Sequence, residues 1–210
     1  NLKSTPKVNT PHIKMSHELS LIPFEKVLEK VAGLQENQIE PNFLKNTLDS
    51  IDFAHVDYYS KIQGLDLDQY GRVYLVAEPL RVFLNIWPPQ FQLSTHQHNN
   101  FWGYIAVMKG LLTETTFVFN PDDKVLSCHP PRSYRKGEII FQPLNGIHHL
   151  QNPSPSKPLI TMHFNYPPRY NYHGVNIFNI RNRRRAVLNE KASGISWNHP
   201  ADQYLSIEEN

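Results

Sequence analysis

Residues 96–110 read HQHNNFWGYIAVMKG, and residues 137–152 read GEIIFQPLNGIHHLQN. In the first stretch His96 and His98 stand two apart. On a strand, side chains at that spacing leave the same face, about 6–7 Å apart along the backbone. Two imidazoles so placed can converge on one ion at nitrogen–metal distances near ~2.1 Å. His148 lies on a later β-like run beyond a turn and offers a third donor from a neighbouring strand. His149 adjoins it and competes for that role. Consecutive strand residues point to opposite faces, so only one of the two can face the ion.

Outward from these stretches the chain alternates short apolar runs with turn chemistry. Strands are expected at Val73–Val76, Val82–Trp87, Tyr104–Met108, Thr115–Phe119, Glu138–Phe141, Leu159–Phe164 and Val175–Ile180. Between them lie Pro88–Pro89, Lys109–Gly110, the run Asn120 to Asp123, Asn145–Gly146 and the run Pro153 to Pro155. Short strands so closely spaced indicate a sandwich or barrel. The absence of βαβ alternation argues against a parallel doubly wound sheet. Upstream, Phe24, Val27, Leu28 and Val31 recur at helical spacing after Ser20 and Pro23, and a second helix is expected from Pro41 with Leu44, Leu48 and Ile51 on one face. Four segments follow: an extended arm over 1–20, helices packed on the barrel over 21–63, the barrel over 64–187, and a loosely packed tail over 188–210.

With 210 residues the chain is long enough for one domain with a substantial core. Its 21 Lys and Arg against 19 Asp and Glu leave a net charge of +2, a balance that favours neither nucleic acid nor a membrane surface as partner. The basic group Arg181, Arg183, Arg184 and Arg185 reads as a solvated edge or a set of ion-pair partners. A single cysteine, Cys128, allows no internal disulfide and favours a reducing, cytoplasmic setting. No apolar run approaches the ~18 residues that a bilayer requires. The expected assembly is a monomer or small homo-oligomer.

The spacing of His96, His98, Gly103 and Gly110, followed by Gly137, Pro143, His148 and Asn152, resembles the two motifs of the cupin superfamily. That resemblance implies a mainly β fold, the double-stranded β-helix or jelly-roll barrel, here with N-terminal helices, and it selects His148 over His149 as the ligand. Asn145 stands where the motif has Gly, and asparagine tolerates the left-handed backbone such a turn needs. Many cupins carry a metal-binding Glu at the position held here by Gly103. Three neutral histidines without it leave open coordination positions, which suits an anionic bidentate substrate and dioxygen at ferrous iron. Imidazole donors also suit zinc, copper, nickel and manganese.

From about residue 65 to about 187 the chain is similar to a narrower family, the thiol dioxygenases, which oxidise a thiol to a sulfinic acid at a three-histidine Fe(II) centre. The likeness rests on His96-x-His98 without Glu, on Tyr70-Gly71-Arg72, on Trp102-Gly103, and on Thr161-Met162-His163 followed by Pro167-Pro168. It implies Fe(II) on His96, His98 and His148, and a small thiol carboxylate and dioxygen as substrates. Arg72 would bind the carboxylate, with Tyr70 and Trp102 beside the substrate, and Thr161 and His163 would form an outer relay that positions a proton. Arg81 is the other candidate anion partner. Two departures from the family stand out. Asn165 stands where the family has a tyrosine, and Gly103 and Asn165 cannot form the Cys–Tyr crosslink of animal cysteine dioxygenases. A non-thiol dioxygenase, a non-catalytic ligand-binding or sensory cupin, and a zinc-dependent isomerase or hydrolase are the competing readings.

Overall fold

The apolar spacing near the N-terminal end gives two helices, α1 (Phe24–Ala32) and α2 (Pro41–Asp49), with a short third, α3 (Tyr59–Ile62). Pro23 stands just before α1, and Pro41 opens α2, where a missing N–H costs nothing. The structure, a computed structural model, describes residues 20–120 and 125–209. The arm expected over 1–20 lies outside these residues except at its last position.

Among the described residues thirteen strands follow: β1 (Gly71–Val76), β2 (Arg81–Trp87), β3 (Thr95–Gln97), β4 (Trp102–Lys109), β5 (Leu111–Asn120), β6 (Val125–Cys128), β7 (Arg132–Arg135), β8 (Ile139–Gln142), β9 (Ile147–Gln151), β10 (Leu159–Tyr166), β11 (Asn176–Asn179), β12 (Arg184–Leu188) and β13 (Tyr204–Glu209). One sheet has the order β1-β2-β10-β4-β8. The other runs β13-β12-β11-β3-β9-β5-β6, with β7 also on β5. From β2 to β5, and again from β8 to β11, each successive strand changes sheet. Every pairing between these strands is antiparallel. Two antiparallel sheets threaded in this alternating way form a double-stranded β-helix.

The two faces of the five-stranded sheet explain its composition. Val82, Leu84 and Ile86 on β2 join Met162 and Phe164 on β10 and Tyr104 and Ala106 on β4 against Val27, Val31, Leu44 and Leu48 of the helices. The alternate residues Phe83, Asn85 and Trp87 point into the barrel. A strand covered on both faces is buried along its length, so β2 is buried from Val82 to Trp87 and is apolar there except at Asn85. Below the site the barrel is filled by Trp87, Ile105, Val107, Leu112, Ile140, Leu150 and Leu159. Truncating such a side chain to alanine costs about 2–5 kcal/mol.

Beyond the boundary placed at residue 187 the chain differs from the loose tail expected of a polar segment. β13 pairs with β12 from Arg184↔Glu209 to Leu188↔Tyr204. Ala192, Ile195, Trp197 and Tyr204 pack on Val175, Ile177 and Leu188. Apolar residues spaced irregularly through a polar stretch carry no period, so this packing has no signature in the sequence.

Candidate metal centre and its cavity

In the pairing of β3 with β9, His96 lies directly opposite His148. Their Nε2 atoms stand 3.0 Å apart. His98, one residue past β3, completes a triangle in which each residue offers a ligand atom within 4.8 Å of the others. All three rings are buried. His149, opposite Thr115 on β5, is turned to the other side of the sheet, where it lies near Phe178 and Trp197.

The second nitrogen of each ring is already committed. His96 Nδ1 donates to the Ser94 carbonyl at 2.8 Å, and His98 Nδ1 to the Phe101 carbonyl at 3.1 Å. His148 Nδ1 donates to Glu114 Oε1 at 2.9 Å. A carbonyl can only accept, so the proton sits on Nδ1 and the Nε2 lone pair faces inward. Burial pushes all three imidazoles down, His98 to about 4, so the rings are neutral. Two nitrogens each ~2.1 Å from one ion and at a right angle stand about 3.0 Å apart. The separation of His96 and His148 matches that figure, and a cation resolves what is otherwise a head-on meeting of two lone pairs. The donor set fits a divalent metal.

Glu114 carried no mark in the motif reading. It is a buried carboxylate on β5 that also accepts from Gln142 Nε2 at 3.2 Å and Tyr134 Oη at 3.4 Å. Burial raises its pKa, while the bonds from Gln142 and Tyr134 lower it. Its position sets the tautomer and orientation of His148 and supplies negative charge that the three imidazoles lack. The parity of β5 offered a signal: Glu114 is two residues from Leu112, which faces the core, so its side chain points inward.

In front of the imidazoles lies a cavity of about 40 Å³. A wider cleft of about 720 Å³ opens behind Glu114 and His148. That cleft touches His98 and His148 but not His96, Arg72 or His163, whereas all five line the small cavity, where the chemistry therefore converges. Arg72 forms the wall opposite the histidines. Its Nε donates to Asn85 Oδ1 at 3.1 Å, and its terminal nitrogens donate to the hydroxyls of Tyr172, Tyr70 and Tyr74 at 3.1, 3.3 and 3.3 Å. Its Cζ lies 4.5 Å from the centre of the Phe83 ring. These partners are all neutral, and no carboxylate among the described residues pairs with Arg72. The phenols fix the fork in place without cancelling its charge. Arg81, the other candidate, lies over the Tyr170 ring at 4.0 Å.

The remaining sequence-derived residues divide. Tyr70 is a support of Arg72, stacked on Phe91 at 4.5 Å, and reaches the site only through that arginine. His163 lines the cavity, its ring stacked on Phe83 at 4.8 Å. Its Nε2 stands 3.0 Å from Thr161 Oγ1 and 3.2 Å from Asn85 Nδ2. Trp87 Nε1 donates to Thr161 Oγ1 at 2.7 Å, so the threonine hydrogen is free to point at His163. Trp102 is not brought to the site. On β4 the cavity face belongs to Gly103 and Ile105, and Trp102 faces the helical layer, against Tyr104, Phe141 and Tyr166.

Gly103 and Asn165 are opposite each other in the β4–β10 pairing. A Cβ on Gly103 would lie 2.3 Å from the Phe164 carbonyl oxygen and 2.5 Å from Asn165 Oδ1. The asparagine side chain fills the space that the glycine leaves, so the two departures from the family are one local substitution. Asn152 serves the scaffold: its Nδ2 donates to the carbonyls of Trp87, Pro88 and Lys157. Asn145 has φ of 63°, the left-handed turn expected of it. Sequence reasoning passed over Asn85, Phe101, Gln142, Tyr170 and Tyr172, all of which line the cavity.

Barrel and histidine triad together define a cupin with a buried three-histidine metal site. The chain belongs to the cysteine dioxygenase type I family, whose family model matches residues 31–181. Among solved structures it is similar to peruvianin-I, a cysteine peptidase from Thevetia peruviana latex, at 13% identity over 62% of this chain and 79% of that one, with a TM-score of 0.42. An RmlC-like cupin with a double-stranded β-helix fold from Methanocaldococcus jannaschii matches at 21% identity over 48% and 82%, with a TM-score of 0.37. A conserved protein with a double-stranded β-helix domain from Klebsiella pneumoniae matches at 14% identity over 56% and 93%, with a TM-score of 0.39. Likenesses at this level say nothing about activity. No helix among the described residues is long and apolar enough to cross a membrane.

Proposed function

We propose that the protein is a non-haem iron dioxygenase that converts a small thiol carboxylate, of the cysteine or 3-mercaptopropionate kind, into its sulfinic acid. In that reaction R–SH and O2 combine to R–SO2H, and both oxygen atoms end on sulfur. The observation that carries the reading is the opposition across one small cavity of three inward Nε2 lone pairs and a half-buried, charge-uncompensated guanidinium. His96, His98 and His148 would hold Fe(II), which supplies the site where thiolate and dioxygen meet.

The chain's own residues account for orientation. Arg72 presents a planar fork to a carboxylate, a charge-assisted contact that strengthens in a half-buried cavity. The cavity's small volume limits the group between carboxylate and sulfur to a short one. Phe83, Phe101 and Ile105 give the cavity apolar walls. His163 is held neutral by burial and by the neighbouring Arg72 charge, and Thr161 and Asn85 fix its ring.

Oxygen-electrode assays of the iron-loaded protein over a panel of thiols, with the product identified by mass, test the proposal. Uptake with a thiol carboxylate and a product heavier by two oxygen atoms is the expected result. Iron-loaded protein that consumes no oxygen with any thiol in the panel would overturn it.

A further inference from the structure

The cavity wall contains two phenols, Tyr170 and Tyr172, whose hydroxyl hydrogens are not spent on the described residues. Asn165 Nδ2 lies 2.8 Å from the hydroxyl oxygen of Tyr170. An amide nitrogen only donates, so the phenol oxygen accepts there, and its own O–H remains to be given elsewhere. Among the described residues no acceptor takes it. The other cavity phenol, Tyr172, accepts from Arg72 and belongs to the anion wall.

Tyr170 is also held rigidly. Its ring stacks on Phe101 at 4.1 Å and 18°, and Phe101 stacks on the ring of His98 at 4.2 Å and 17°. Arg81 lies 4.0 Å from the Tyr170 ring centre. Two groups that close to one ring cannot share a face, so Phe101 and Arg81 clamp it from opposite sides. The loop bearing Tyr170 is tied back to the residues after His98, through Asn100 Nδ2 on the Asn171 carbonyl at 2.6 Å and Asn99 Nδ2 on the Gly174 carbonyl at 2.9 Å. Burial, above all, keeps the phenol protonated.

We infer that Tyr170 is the hydrogen-bond donor to the reacting end of the substrate, positioned by Asn165, while Arg72 and Tyr172 hold the anionic end. This rests on the thiol-oxidation reading of the same site. It also gives the Gly103–Asn165 pair a purpose: a short amide in the glycine's space reaches the phenol of the next loop, where a larger side chain at 165 would displace it.

Tyr170→Phe in the iron-loaded protein tests the inference. Expected are full iron content, KM within about threefold of the parent, and kcat lower by about 100-fold, the scale of a lost positioned proton donor. Tyr172→Phe should do the reverse, raising KM and sparing kcat. Asn165→Leu, which leaves the phenol but removes its anchor, should lower kcat by a smaller factor. A second readout needs no turnover: 3-fluorotyrosine at position 170 should shift its fluorine resonance when thiol substrate is added without oxygen. A Tyr170→Phe protein with unchanged kcat, or a fluorine signal indifferent to substrate, would overturn the inference. Parent protein inactive on every thiol would instead overturn the functional reading on which it rests.

Discussion

The two sheets of the barrel bring different chemistry to one cavity. The eight-stranded sheet provides His96, His148 and Glu114 from adjacent strands β3, β9 and β5, with His98 just past β3. The five-stranded sheet provides Arg72, Asn85, Thr161, His163 and Asn165 from β1, β2 and β10. On the first sheet each ligand imidazole is oriented by a fixed acceptor, so that lone pairs are left over. On the second, donors are fixed by neutral partners, so that positive charge is left over. A cation and an anion are thus received from opposite sides, and the two functions are expected to separate under mutation.

The largest effect should come from the first sheet. His148→Ala, His98→Ala or His96→Ala should lower bound iron from near stoichiometric to background and abolish activity, by metal analysis of the purified protein. Retention of iron in any of them would break the assignment of that histidine. Arg72→Ala should keep its iron and raise KM about 10–100-fold, the loss expected for hydrogen bonds to a charged group worth ~1.5–3 kcal/mol. Loss of iron there would mean that the two walls are coupled. Glu114→Gln keeps an acceptor for His148 while removing the charge, and should weaken metal affinity about 10-fold, towards the low end for such outer partners. Competition with a chelator measures it, and unchanged affinity would show that geometry alone matters. Trp102→Phe should be mildest, with KM and kcat within about twofold and a melting temperature a few degrees lower, roughly the effect of a partly buried aromatic trimmed. A collapse in substrate affinity would show that this side chain reaches the cavity after all.

The difference between the sheets also explains what the sequence disclosed. His96, His98 and His148 were legible because two donors at strand spacing and a third beyond a turn make a pattern along the chain. The seven expected strands overlap β1, β2, β4, β5, β8, β10 and β11, since apolar runs bounded by turns are local features. Short β6, β7 and β12 and the terminal β13 were not anticipated, because four to six residues without an apolar period look like loop. Glu114 and Tyr170 act through contacts 34 and five residues away in sequence. No spacing rule connects a β5 carboxylate to a β9 imidazole. Trp102 misled for the opposite reason: its neighbour Gly103 matches a family motif, but strand alternation turns adjacent side chains to opposite faces.

The two asparagines that flank β9 have a meaning for folding. Sliding that strand by one residue against β3 would bring His149 inward in place of His148, and an imidazole would still face the centre. Such a decoy can capture the ion, so metal binding by itself does not proofread the alignment. The left-handed corner at Asn145 and the three carbonyls gripped by Asn152 hold the strand at both ends, and they fix its alignment by contacts that need no cation.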